Sequence, residues 1–192
     1  MMTPEMKLVI YYANKLTEAC EAAGAGDVTS FARIREATAA AMLGHNMGKT
    51  YNGADAFVLD ENGKKIEIEY KSTINSTCKG TYSGISNQPT WEGVVRYLEK
   101  EKVLPYKWHY FNRFNKKTGM LVESWRMTGK QVFDLLLPKL HNTFIRYKGY
   151  LQEGKKLADP RLRADINWED IQTHGEQVKL PDISEIINTK EI

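Results

Sequence analysis

Between Ala54 and Lys71 the chain alternates apolar and charged residues around Glu61-Asn62-Gly63, and this stretch constrains the fold more than any other. Period-two alternation on both sides of a glycine-containing turn signals a β-hairpin, here with strands over 54–59 and 66–73. The register decides which side chains meet. A two-residue turn at Asn62-Gly63 sets Asp55 opposite Tyr70 and Glu69 opposite Ala56, scattering charge over both faces. A three-residue loop with Gly63 in the left-handed position of a bulge instead pairs residues whose numbers sum to 124. One face then carries Ala54, Ala56, Val58, Ile66, Ile68 and Tyr70, and the other Asp55, Phe57, Glu67, Glu69 and Lys71. Only this register gives a clean apolar face, so it is the one expected.

In that register Asp55 lies opposite Glu69, with Lys71 two residues along on the same side. Two carboxylates about 5 Å apart at the backbone repel unless a cation lies between them, and hard oxygen donors with open positions suit Mg²⁺. An ammonium beside them is placed to orient or help deprotonate an attacking water. The same alternation also fits an exposed strand whose Glu67, Glu69 and Lys71 are simply solvated, so these residues alone leave both readings open.

The series Asn52-Gly53-Ala54-Asp55-Ala56, then twelve residues, then Glu69-Tyr70-Lys71-Ser72 resembles the active-site signature of the PD-(D/E)xK nuclease superfamily, with Ala54 in the place of the proline. Further marks, Lys79-Gly80, Asn87-Gln88-Pro89 and a strand over 106–114, resemble the small homodimeric type II restriction endonucleases of the Pvu type, which cut bluntly. The resemblance covers roughly residues 36 to 127 and is specific only at the triad. It implies an α/β (α+β) fold with a restriction-endonuclease-like core, a mixed sheet whose catalytic antiparallel hairpin is flanked by helices. It also implies that Asp55, Glu69 and the Tyr70 carbonyl bind Mg²⁺, that Lys71 positions the water, and that hydrolysis leaves a 5′-phosphate and a 3′-hydroxyl. Relatives often add an acid from the preceding helix. Glu36 is the candidate, although it falls roughly opposite the Phe31 stripe, where an ordinary exposed acid is the competing reading.

The remaining pattern describes one domain of 192 residues. Thr3-Pro4-Glu5 opens a first helix that Gly24 to Gly26 ends. A second helix begins near Thr29 or Ser30, shows Phe31, Ile34, Ala37, Ala41 and Met42 on one face and stops at Gly44. Residues 1–43 thus form a helical region, expected to be the dimer surface, and 44–150 form the catalytic and DNA-binding core. Gly48-Lys49-Thr50 is not a nucleotide loop, because its glycine spacing is one short and it lies between a helix and a strand. Residues 72–90 read as a long polar loop, Trp91 to Leu98 as a short helix, and 106–114 with 120–127 as a hairpin around Asn115 to Gly119. Thr128 and Gln131 form a capping box for a helix that Pro138 should kink, and 151–192 reads as an irregular acidic tail.

Charge is segregated along this plan. The balance is −2 over residues 1–99, +10 over 100–163 and −5 over 165–192. A basic block followed by an acidic tail suits a chain that meets a polyanion. Reading a DNA site needs groups that reach base edges as well as phosphates. Asn75, Lys79, Thr81, Tyr82, Ser83, Ser86, Asn87 and Gln88 in the long loop offer these, as do His109, Arg113, Lys116 and Lys117 in the hairpin, with Lys49 a further phosphate contact. Double-stranded DNA with a two-fold site would be met by a homodimer. A structure-selective nuclease of the same superfamily and a non-catalytic DNA-binding module are the alternatives. Scattered cysteines and histidines argue against a zinc site, and the lack of a long apolar run argues against a membrane span. Met1-Met2-Thr3-Pro4-Glu5 does not resemble a signal peptide, so a cytoplasmic location is expected.

Overall fold

The computed structural model describes residues 31–48, 53–83, 88–116, 118–154 and 163–182, together with 12, 15, 16, 18–20, 22 and 24 of the preceding segment. Of the first predicted helix, residues 1–11, 13, 14, 17, 21 and 23 lie outside the described residues, and those described between 12 and 22 are helical. In chain order the elements are α1 (Phe31–Leu43), β1 (Asn46–Met47), β2 (Ala56–Leu59), β3 (Lys65–Thr73), β4 (Gly80–Tyr82) and α2 (Trp91–Tyr97). A π-helical turn (Leu98–Lys102) continues α2 and leads to β5 (Trp108–Phe114), β6 (Leu121–Thr128), α3 (Gly129–Gln152), β7 (Ala164–Ile166), α4 (Trp168–His174) and β8 (Glu176–Gln177).

The hairpin register is the expected one. Ala56 pairs with Ile68, Phe57 with Glu67, Val58 with Ile66 and Leu59 with Lys65. Gly63 adopts φ 75°, its N–H donates to the Asp60 carbonyl, and the Asp60 carboxylate accepts the N–H groups of Asn62 and Lys64. That turn fixes the pairing because a shift by one residue would move Ile68 and Tyr70 off the buried face.

The main sheet has the order β1-β2-β3-β5-β6-β8 and is mixed: β3 and β5 are parallel, and every other neighbouring pair is antiparallel. A parallel neighbour needs a long crossover, and residues 74–107 supply it through β4, α2 and the π-turn. On one face, Ala39 and Ala40 of α1 pack on Ala56, Ile68, Tyr70, Tyr110, Phe114 and Leu121. On the other, Val94 and Leu98 join Val132, Leu136 and Leu140 of α3, with Tyr82, Phe111, Ile166 and Ile171. Both faces of β3 are therefore covered at its centre, where Glu69 is buried and Lys71 half-buried, while Glu67 nearer the turn stays exposed as the alternation allowed.

Three expectations need correction. The stretch 72–90 is not wholly loop, because Gly80–Tyr82 pairs with Ala164–Ile166 as a second, two-stranded sheet. The tail is not irregular over 164–177: β7, α4 and β8 dock on the domain, and Glu176 holds Arg126 at 2.8 Å. Acidic composition marked this segment as tail, whereas three of its acids have partners in the body, Asp165 on Thr81, Asp170 on Lys139 and Glu176 on Arg126. In α1 the buried residues are Arg33, Ala39 and Ala40, and Ala41 is exposed. Of the expected stripe, Ile34 and Ala37 pack against Cys20 and Met42 against the sheet, whereas the fully buried side chains of this alanine-rich helix, which has little apolar contrast between its sides, lie beside the stripe. The capping box of Thr128 and Gln131 forms, and α3 runs on through Pro138.

A buried relay joins β4, β5 and the π-turn. The Val103 carbonyl can only accept, so His109 donates Nε2–H to it at 3.0 Å, and its Nδ1 accepts the Tyr82 hydroxyl at 2.9 Å. Burial keeps this imidazole neutral, with its pKa lowered to about 4. Tyr82→Phe leaves Nδ1 buried without a donor and should lower stability at neutral pH by about 1–3 kcal/mol, measured by urea denaturation; an unchanged midpoint would show that the bond contributes nothing.

Candidate active site

The candidate site is assembled by the end of β3 and the residue that precedes β2. The Asp55 carboxylate accepts the backbone N–H of Tyr70 at 2.7 Å, and the Asp55 carbonyl accepts Gly48 N–H at 3.0 Å, so Asp55 is held from both sides just beyond the β2 ladder. A Cβ on Gly48 would stand 2.0 Å from the Ala54 carbonyl oxygen, so a glycine is required for this close approach. Along β3, Ile68 and Tyr70 turn into the apolar layer beneath α1. By strand alternation Glu69 and Lys71 turn to the opposite face, where the Lys71 ammonium lies 4.8 Å from the Tyr82 ring centre. Glu69 is only 5% exposed, and its Oε1 accepts Lys71 Nζ at 2.5 Å. Gly80 makes room for this pair, because a Cβ there would fall 2.6 Å from the Phe111 ring and 2.9 Å from Lys71 Cγ.

Glu36 is not the detached surface acid that the Phe31 stripe suggested. It lines, with Ala32, Arg35, Tyr70, Lys71 and Ser72, a cavity of about 210 Å³, and it pairs with the buried Arg33 at 3.0 Å. Arg33 also donates to the Gly48 carbonyl, tying α1 to the strand that positions Asp55. Neither Arg33 nor Lys102, whose ammonium lies 3.7 Å from Glu69 Oε1, was singled out by the sequence pattern. Arg33 lies off the apolar stripe, and Lys102 is one of several lysines in the basic block, so neither carried a local signal.

The electrostatics of the site centre on Asp55. Burial, then the negative charges of Glu69 and Glu36, push its carboxyl up from 3.8 to about 7, against the opposing Tyr70 N–H and the Lys71 ammonium. A cation would relieve that strain. Asp55, Glu69 and the Tyr70 carbonyl are hard oxygen donors of the kind Mg²⁺ takes, and Mg²⁺ commonly binds through one or two carboxylates while keeping waters. These residues fit the ion in donor type. Among the described residues no three His, Cys, Asp or Glu side chains gather into a closed metal cage, so any ion here would complete its shell with water or substrate. A larger cavity of about 780 Å³ lies between Leu16 and Cys20, α1 and the β1–β2 edge, where Ile34, Ala37, Met47 and Phe57 line it together with Lys65 and Glu67 of β3, and it does not include Asp55, Glu69 or Lys71.

The expected DNA contacts divide. Asn75, Lys79 and Ser83 are exposed, as is Lys116 at the hairpin turn, and Gln88 is half-buried. Thr81 is exposed and donates to Asp165 at 2.7 Å. Arg113 is committed to Glu123 at 2.6 Å. Tyr82 and His109 are wholly buried and hydrogen-bonded to each other, which corrects their assignment to a DNA groove: their polar atoms are used inside the fold. Lys49, Ser86, Asn87 and Lys117 lie outside the described residues.

No family model and no curated protein matches this chain. No helix among the described residues is long and apolar enough to cross a membrane.

The raised Asp55 carboxyl has a sign that can be tested. The folded chain keeps a proton on this group between about pH 4 and pH 7 that the unfolded chain has released, so this residue's contribution to stability is lost as pH rises through that window. In EDTA, Asp55→Asn should therefore gain melting temperature relative to the parent at pH 8 compared with pH 4. A difference that does not change with pH would show that the carboxylate is not under strain.

Proposed function

We propose that this protein is a Mg²⁺-dependent endonuclease that hydrolyses phosphodiester bonds in double-stranded DNA, acting as a homodimeric, site-specific restriction enzyme of the cytoplasm. The observation that carries the reading is the meeting of Asp55, Glu69 and Lys71 at the end of one hairpin, with Glu69 buried and Asp55 and the Lys71 ammonium half-buried beside it. Taking such charges out of water costs stability, so a group of this kind inside the fold points to a functional need. The resemblance of the same residues to the PD-(D/E)xK signature supports the same assignment.

In this reading Asp55, Glu69 and the Tyr70 carbonyl would hold the ion. When bound, Mg²⁺ supplies neutralisation of the charge that develops on the phosphate during displacement. Lys71 orients the attacking water. Its ammonium is fixed by Glu69 and lies against the Tyr82 ring, so few other positions are open to it. The water oxygen bonds to phosphorus as the bond to the 3′ oxygen breaks. The water gives up a proton to solvent and the leaving oxygen gains one, leaving a 5′-phosphate and a 3′-hydroxyl. Arg33 and Glu36 act on Asp55 from α1, one through the Gly48 backbone and the other through its charge. Asn75, Lys79, Ser83 and Lys116 are the exposed groups available to DNA.

The test is digestion of a plasmid of known sequence with purified protein and Mg²⁺, beside an EDTA control and Lys71→Ala. Discrete bands are expected, with cleavage by Lys71→Ala lower by about 10²–10⁴-fold and absent in EDTA. A smear or nicking alone would replace sequence recognition by a structure-selective nuclease. Intact plasmid with tight DNA binding would leave a binding module and sink the catalytic reading.

A further inference from the structure

Glu69 faces two ammonium groups rather than one. Lys71 Nζ is hydrogen-bonded to Oε1 at 2.5 Å, and Lys102 Nζ stands 3.7 Å from the same oxygen, beyond hydrogen-bond reach, with its side chain 30% exposed. Lys102 ends the π-helical turn Leu98–Lys102. Such turns are rare and widen the helix by one residue, so the side chains that follow point where an α-helix would not send them. The turn is firmly tied down. Leu98 is fully buried and its carbonyl accepts the N–H groups of both Val103 and Leu104, while the Val103 carbonyl accepts the Nε2–H of buried His109. Tyr82 then binds the other nitrogen of His109 and lies beneath Lys71. One buried relay thus sets the positions of both lysines around Glu69.

The geometry points to Lys102 as a phosphate-binding residue of this site, held beside Glu69 in the free protein and released to the DNA backbone when a divalent cation occupies the acids. This rests on the nuclease reading above. The charge arithmetic supports it: a dication drawn to Asp55 and Glu69 repels an ammonium that stands 3.7 Å from Glu69 without a hydrogen bond to it, and Lys102 is more exposed than Lys71, whose side chain is 15% exposed. Lys71 keeps its place through the Tyr82 ring and the tight wall of Gly80 and Phe111. A long side chain rooted on a fixed turn reaches the incoming phosphate without movement of the backbone.

Binding of the full chain to a short duplex, followed by fluorescence anisotropy across a salt series, tests this. The series is run with Ca²⁺, a hard dication that takes the same oxygen donors, and again in EDTA, with the duplex checked on a gel for integrity. Each phosphate contact contributes about 0.9 to the slope of log K against log salt. Lys102→Met should flatten the slope by about that amount with Ca²⁺ and change it little in EDTA, while Lys102→Arg should retain the parental slope. Melting curves of both variants should match the parent. A slope for Lys102→Met equal to the parent's in Ca²⁺ would overturn the phosphate role, as would equal losses in the Met and Arg variants, which would show a structural effect. Equal flattening in Ca²⁺ and EDTA would overturn the release by the cation. A parent chain that binds no duplex fails the nuclease reading itself and the inference with it, whereas binding with an unchanged slope fails the inference alone.

Discussion

The burial of β3 on both faces is the constraint on which the rest of the structure depends. A strand covered on one side would leave Glu69 and Lys71 in water, where charges of this kind stabilise little. Here α1 closes one face over Ile68 and Tyr70, and the layer of β4, α2 and α3 closes the other. Ionised groups in that setting must be paired. The Glu69–Lys71 bond, the Tyr70 N–H on Asp55 and the Arg33–Glu36 pair follow from that requirement as much as from any chemistry they perform. The two demands converge: a cation and an acid that must pair because they are withdrawn from water are also held still enough to act on a substrate.

The hairpin was legible in the sequence because its turn and its apolar alternation agreed. Gly63 in the left-handed region and the Ala56, Ile68 and Tyr70 face each specify the same register, and together they place Asp55 against the backbone of Tyr70. The capping box at Thr128 was equally local, since its two partners lie three residues apart. Contacts made across long stretches of chain had no such signal. Nothing near Asp165 announces that its strand pairs with β4, and nothing near Lys102 shows that a π-turn brings it to Glu69.

Tyr82 and His109 show how polar residues mislead when read alone. Their donors and acceptors looked suited to a nucleic-acid groove, yet the fold spends them on each other and on Val103. Composition cannot tell a hydroxyl that faces DNA from one that satisfies a buried imidazole, because both environments select the same chemistry. Glu36 erred in the opposite direction. Helical periodicity set it away from the apolar stripe, but α1 packs on more than that stripe: Arg33, Ala39 and Ala40 are buried beside the packed Ile34, Ala37 and Met42. Close approach of an alanine-lined helix to the sheet is what brings an acid from α1 near Asp55.

The strand order also governs when the site can exist during folding. The β2–β3 hairpin can form by itself from neighbouring residues, but β3 gains its second partner only when Trp108–Phe114 arrives alongside it in parallel. The opposite edge of β6 is covered by Glu176–Gln177 and the Val178 N–H, on the far side of the 24-residue helix α3. Pairings this distant in sequence close slowly, because the entropy of the intervening loop is lost before the contact returns anything. Where only the local hairpin has formed, Asp55 and Glu69 are a pair of hydrated acids. Only when the distant strands and the π-turn have closed around them do they become a buried, charge-balanced centre, so competence for chemistry is tied to completion of the fold.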